Sequence, residues 1–257
     1  MRPLILITND DGVSAKGLRV LVESVKDLAD LVVMSTDTNA SGKSHAITVH
    51  QPLRVQTISE EEGVEIYACN GTPVDCVKLA ESFFCGRKPN LVLSGINHGS
   101  NASINVIYSG TMGAVIEASL SGYPAVGFSL LNHSADADFS ACIPFVRMIV
   151  KDVLENGLPH NVSLNVNIPN LVHEDIKGLR VCREAKAHWA DGYEKRIDPN
   201  GHEYWWLMGN FVCNDKGEDT DIWALDNGFV SVVPITPYFT SLDYVQEMKN
   251  RFKLEVE

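Results

Sequence analysis

The sequence predicts an α/β fold: a Rossmann-like, doubly wound and mostly parallel sheet with a β-rich C-terminal extension. Three observations carry that reading. Short apolar runs alternate with helical periodicities through the first 170 residues, which is the pattern of βαβ units. Small polar motifs fall just after those runs, where open parallel sheets bind ligands. Past residue 170 the texture shifts to β segments separated by polar turns.

Residues 4–8 are a continuous apolar run ending in threonine, as in a strand buried on both faces. Residues 15–28 place Leu18, Leu21, Val22 and Val25 on one helical face, and 31–34 form a second short strand. A strand over 64–69 leads into Thr72-Pro73-Val74-Asp75. Thr72 is an N-cap, Pro73 suits the first helical position, and Asp75 complements the positive helix end. That helix extends to about residue 84. Strands over 91–93, 125–130 and 162–168 alternate with helices over 110–120 and 139–154. In the extension, 179–183, 204–213 and 229–233 read as β and 242–252 as a final helix. The organisation is a catalytic core of residues 1–170 and an extension of residues 171–257 used in oligomerisation.

The chain has 257 residues, 45% of them hydrophobic, and a net charge of −12. That balance excludes a nucleic-acid polymer as partner, since phosphate backbones need a basic surface. It also means that a small anionic substrate needs a local cation. The N-terminal apolar run is too short for a signal peptide, and no stretch reaches the ~20 apolar residues of a membrane span. A cytoplasmic protein is expected. The six scattered cysteines include no Cys-x-x-Cys pair, which argues against a zinc site or a disulfide framework.

Asn9-Asp10-Asp11-Gly12 follows the first strand. Two adjacent carboxylates repel each other and any anion, and a bound divalent cation resolves both conflicts; a solvated turn accounts for the same residues on spacing alone. The stretch from Asp37 to Ser44 ends in Gly-Lys-Ser but lacks the leading glycine and the following helix of a P-loop, and alone it reads as a flexible polar loop. Ser94 to Asn101 reads as a small-residue loop in which Asn97 and Asn101 offer neutral oxygens. His98 is a candidate acid or base there, or simply an exposed histidine. Ser109-Gly110-Thr111 opens a helix whose free N–H groups suit phosphate, and the same residues serve as an ordinary cap. Together the loops have the composition of a divalent-metal site facing a phosphate pocket.

Several motifs resemble the SurE family, the survival-protein 5′/3′-nucleotidases. They are the run Ile7 to Gly12, the loop Asn39-Ala40-Ser41-Gly42, the stretches from Gly71 to Val77 and from Ser94 to Asn101, and Tyr108 to Thr111. The tail motifs Thr220-Asp221 and Val230 to Pro237 resemble the same family. The resemblance implies a nucleoside monophosphate substrate and one divalent ion, Mg²⁺ or Mn²⁺, held by Asp10, Asp11, Ser41 and Asn97. It implies catalytic roles for Asp10, Asp11 and Asn97, and a phosphate-facing set of Asn9, Ser41, Asn101, Ser109, Gly110 and Thr111. It further implies a 5′-nucleotidase that in some relatives also cleaves short polyphosphate, and a homodimer or homotetramer built through the C-terminal extension. Ala40 stands where the family often has arginine, and Ser35-Thr36-Asp37 where Ala-Pro-Asp is common, which bears on substrate preference.

Two other classes compete. A non-catalytic nucleotide or metal sensor would use the same residues and release no phosphate. A dinucleotide-dependent oxidoreductase would need Gly-x-Gly-x-x-Gly after a strand, and two carboxylates in the first loop would repel its pyrophosphate.

Overall fold

The computed structural model describes residues 2–84 and 86–252. From β1 (Leu4–Thr8) the chain passes through α1 (Lys16–Val25) to β2 (Asp30–Thr36). A hairpin of β3 (Val55–Glu61) and β4 (Val64–Cys69) follows, then α2 (Pro73–Ala80) and β5 (Leu91–His98). Next come α3 (Gly110–Leu120), β6 (Ala125–Leu130), α4 (Ile143–Asn156) and β7 (Ser163–Ile168). The rest is β8 (Leu179–Val181), β9 (Ala187–Ile197), β10 (Glu203–Cys213), α5 (Asp221–Asp226), β11 (Val230–Ile235) and α6 (Leu242–Arg251).

Nine strands form one sheet in the order β3-β4-β2-β1-β5-β6-β7-β11-β8. The six from β4 to β7 run parallel, while β3 and β11 join antiparallel to β4 and β7. From β1 the chain winds outward to β2 and β4, then returns to β5 and winds the other way. This is the doubly wound arrangement that the alternation of elements predicts, and it puts a switch point between β1 and β5.

Strand residues alternate between faces, so β1 feeds two cores. Ile5 and Ile7 pack with Leu18, Leu21 and Val25 of α1 and with Val146 and Val150 of α4. Leu4 and Leu6 pack with Cys76, Val77 and Ala80 of α2 and with Met112, Val115 and Ala118 of α3. Each fully buried aliphatic side chain contributes about 1.5–3 kcal/mol. With both faces covered, the strand carries no polar residue until its end, and its first polar side chains emerge at the switch point. The N-cap expected at Thr72 is present and closes into a capping box: Asp75 N–H donates to Thr72 Oγ1 (3.1 Å), and Thr72 N–H donates to Asp75 Oδ2 (2.8 Å).

The structure departs from the sequence reading at several elements. α2 stops at Ala80 and tightens into a 3₁₀ turn over Glu81–Phe83. β5 does not end at residue 93 but runs to His98, with a register shift against β6 between Ser94 and Asn97. Gly95 allows that shift: its φ is +126°, and a Cβ there would fall 2.3 Å from the Phe128 carbonyl oxygen. β3 escapes sequence reading because it is a largely exposed edge strand of mixed polarity. β9 escapes because it packs on no core and is exposed along nearly its whole length, so no alternation marks it. β8 and β11 extend the central sheet, and only the β9–β10 hairpin leaves it as an arm. Among the described residues, no helix is long and apolar enough to cross a membrane.

α1 lies hard against β5. A Cβ at Gly17 would fall 2.0 Å from the Ile96 carbonyl oxygen, which is backbone and cannot turn away. Gly17→Ala is therefore expected to push α1 off the sheet and cost about 1–3 kcal/mol, the usual range for overpacking. The urea midpoint measures this, and an unchanged midpoint would show that α1 is free to slide.

Candidate active site

Asp10 leaves the carboxyl end of β1 and is 3% exposed. Its Oδ1 accepts a hydrogen bond from the Thr111 hydroxyl at 2.6 Å. The backbone N–H groups of Gly110 and Thr111 also face this carboxylate, so the N-terminus of α3 sits on the acid with its partial positive charge. Gly110 is required here: a Cβ would lie 2.9 Å from both Asp10 Cβ and Oδ2. Burial raises the Asp10 pKa, and the Thr111 hydroxyl and helix N–H groups pull the other way without cancelling it. Asp11 is half-buried, and its Oδ2 accepts the His98 N–H at 3.2 Å. Burial and then the charge of Asp10 raise its pKa, against the opposing pull of His98 and His133. Each acid thus keeps one oxygen that no side chain of the described residues engages.

Asn97, at the end of β5, donates Nδ2–H to the Gly99 carbonyl (2.9 Å). That bond fixes the amide and leaves Oδ1 as the free end. Ser41 is exposed, with its backbone N–H on Asn39 Oδ1 (2.8 Å) and no bond to its hydroxyl among the described residues. The loop that carries it is tied to β1 by the Ala40 N–H on the Asp10 carbonyl (2.7 Å). Asp10, Ser41, Asn97, Asn101 and Ser109 border one cleft of about 770 Å³. None of the described residues lining it is Lys or Arg.

The remaining predicted residues divide. Ser109 borders the cleft and caps α3 by accepting the Met112 N–H (3.0 Å). Thr111 and Gly110 lie beneath it, with the Thr111 hydroxyl committed to Asp10. Asn9 is fully buried; its Nδ2 donates to the Gly12 carbonyl (3.1 Å) and its Oδ1 accepts from Ser35. Its side chain therefore shapes the turn and does not reach the cleft. Asn101 donates Nδ2–H to Ser129 Oγ (2.8 Å) and its backbone N–H to Asn167 Oδ1 (2.8 Å). His98 donates Nδ1–H to the Ser134 carbonyl at 3.1 Å, which leaves Nε2 as the basic nitrogen.

A divalent cation fits these donors. Among the described residues no three His, Cys, Asp or Glu side chains converge, so a softer-metal cage is not built. Two carboxylates, the Asn97 amide oxygen and the Ser41 hydroxyl suit a hard ion that keeps several waters.

Sequence reading missed a supporting layer. Asn165, Asn167 and Ser129 form a buried polar chain under Asn101, linked through Asn165 Nδ2 to the Asn101 carbonyl (2.8 Å) and Asn167 Nδ2 to Asn165 Oδ1 (2.9 Å). Asparagines at alternate positions of an otherwise apolar strand are the signal that could have found it. Asp221, whose role the sequence leaves open, is 1% exposed and accepts N–H bonds from Ser103 (2.7 Å), Ala185 (2.9 Å) and Ile222 (2.8 Å). It staples the extension to the turn after β5.

Fold and site define a doubly wound α/β protein with an acidic ligand cleft at the switch point of its sheet. Residues 5–191 match the model of the family described as survival protein SurE. The 5′-nucleotidase SurE of Christiangramia forsetii is 51% identical over 97% of this chain and 96% of its own. That of Flavobacterium psychrophilum is 50% identical over 97% of both. The crystal structure of the SurE protein from Aquifex aeolicus superposes with a TM-score of 0.83 at 36% identity, covering 97% of this chain and 99% of that one. The chain belongs to the SurE family.

The Thr111 hydroxyl favours the charged form of Asp10, so its removal must raise that pKa further. In Thr111→Val the acidic limb of the kcat/KM–pH profile is expected to move to higher pH. The lost bond to a buried charge should also cost about 1.5–3 kcal/mol of stability. A limb that stays in place would show that Asp10 does not control the profile.

Proposed function

We propose that this cleft hydrolyses nucleoside 5′-monophosphates to nucleoside and phosphate with one divalent ion, Mg²⁺ or Mn²⁺. The carrying observation is the adjacent acids Asp10 and Asp11, both resisting ionisation through burial, with Asp10 in a cleft lined by no Lys or Arg among the described residues and Asp11 bonded to the N–H of its lining residue His98. The activity printed for the similar proteins supports the same reading.

Asp10, Asp11, Ser41 and Asn97 would hold the ion. When bound, it supplies Lewis-acid polarisation of phosphoryl oxygens and a more acidic water. The chain's own groups do the rest. Thr111 and the first turn of α3 fix the Asp10 carboxylate in one orientation. Ser109 caps that helix end at the cleft and keeps its first N–H groups on the Asp10 carboxylate. The Asn97–Gly99 bond keeps Oδ1 turned out. The Ala40 bond to β1 holds the Ser41 loop over the acids.

The arm supports an assembly of two or four copies. A lone two-stranded hairpin is marginal in water. This one exposes Tyr193, Trp205, Trp206, Leu207 and Met208, an apolar surface that a second copy would cover. Placement in the cytoplasm belongs to the same proposal.

The full-length protein, freed of metal with EDTA, is expected to release no phosphate from AMP and to recover on addition of Mn²⁺ or Mg²⁺. Asp10→Asn should lose about a hundredfold or more in kcat/KM, the scale of several kcal/mol of electrostatic stabilisation. It should also lose the rise in Tm that Mn²⁺ gives the wild type. Near wild-type turnover of the variant at limiting metal, or release indifferent to EDTA, would overturn the proposal. A protein that binds nucleotide and never releases phosphate would be a sensor.

A further inference from the structure

The cleft is chemically mixed: Asp10, Asn97 and Ser109 line it together with Trp189 and Phe211 of the arm and with Leu131, Ile222 and Leu225. Oxygen donors and aromatic and aliphatic surface in one cleft suit a ligand that carries both an anionic group and a flat apolar one.

Trp189 and Phe211 are direct cross-strand partners in the β9–β10 hairpin. Their rings meet edge to face, with centroids 5.7 Å apart and planes at 67°. Trp189 is 39% exposed, so a large part of the indole remains uncovered. Its ring is nonetheless held: Nε1–H donates to Asn105 Oδ1 at 2.8 Å. Indole nitrogen only donates, so this bond fixes which end of the Asn105 amide is spent. Asn105 Nδ2, with two N–H donors, engages no other group among the described residues. Asn105 itself borders the cleft, on the short turn between Asn101 and Ser109.

We infer that Trp189 is the stacking platform for the nucleobase and that Asn105 Nδ2 donates to an acceptor on the base edge. This rests on the nucleotidase reading and extends it from the phosphate end to the base end. Every nucleobase has a π face and a ring or carbonyl acceptor, and stacking is tolerant of base identity. The pair therefore recognises the presence of a base more than its kind, with purines favoured over pyrimidines by their larger stacking area. Trp189 is thus the device by which an acidic phosphatase cleft discriminates a nucleotide from a bare sugar phosphate.

The test compares AMP with ribose 5-phosphate, which keeps the phosphate and sugar and lacks the base. Trp189→Ala is expected to lose roughly tenfold or more in kcat/KM on AMP, mainly through KM, with ribose 5-phosphate changed less than about twofold. Trp189→Phe should retain most of the AMP activity, since a ring remains. In metal-free protein, adenosine, which keeps the base and lacks the phosphate, should quench indole fluorescence in the wild type and not in Trp189→Phe, because the other three tryptophans lie outside the cleft lining. Equal losses on both substrates, or quenching that persists in Trp189→Phe, would overturn the inference. Should Trp189→Ala fail to fold, Trp189→Phe and Phe211→Ala carry the same comparison. A wild type that hydrolyses neither compound would defeat the nucleotidase reading, while the quenching arm would still report on the base site.

Discussion

The arrangement depends on a single electrostatic conflict: the carboxylate of Asp10 is buried beside that of Asp11. Taking one ion out of water costs several kcal/mol even after relaxation. The compensation within the chain is smaller. A helix N-terminus gives about 0.3–1 kcal/mol, up to ~2 in buried geometry, and a hydrogen bond to a charged group about 1.5–3. Those terms can offset one acid at best. They leave nothing for the second, whose pKa is raised by the first. Under the proposed function a dication would answer the remaining deficit, with Asn97 and Ser41, which line the same cleft as Asp10, as its neutral ligands. The conflict is what makes the site functional and not merely polar.

Keeping that conflict in place takes support from distant parts of the chain. The apolar β1 brings Asp10 to the sheet end, α3 presses on it through Gly110, and the β5 bulge at Gly95 carries Asn97 and the His98 N–H to its side. The extension takes part as well. Asp221 anchors Ser103 and Ala185 together, and so fixes both the turn that leads to Ser109 and the root of the arm that carries Trp189. The Asp221 carboxylate therefore adds a second tie between core and extension beside the β7–β11 pairing.

Much of this was legible in the sequence, for identifiable reasons. Strands buried on both faces appear as apolar runs, and a helix start such as Thr72-Pro73-Val74-Asp75 carries its own chemistry, so the parallel core could be read from residue types. Paired acids at a strand end are costly enough to signal a function. What stayed hidden depends on tertiary partners. β9 has exposed faces and no periodic pattern. Asn9 and Thr111 read as phosphate contacts because they flank the right loops, yet Asn9 turns inward to Ser35 and Gly12, and Thr111 spends its hydroxyl on Asp10. Spacing locates a loop; it does not say which way each side chain points.

The departure at Ala40 bears on how charge is balanced here. An arginine before the loop serine could contribute a fixed cation near the site. In this chain the position holds a buried alanine whose N–H bonds the Asp10 carbonyl at 2.7 Å. That bond ties the Ser41 loop to the turn after β1, and further along the same loop packs against α3. A Cβ at Gly113 would fall 2.7 Å from the Ser44 carbonyl oxygen. Closure replaces charge at this point. With a net charge of −12 and no Lys or Arg among the described residues of the cleft, an incoming phosphate would, under the proposed function, meet its positive charge in an ion held by the two acids. Affinity for the substrate must then follow occupancy of that ion more steeply than it would in a relative with an arginine in the loop.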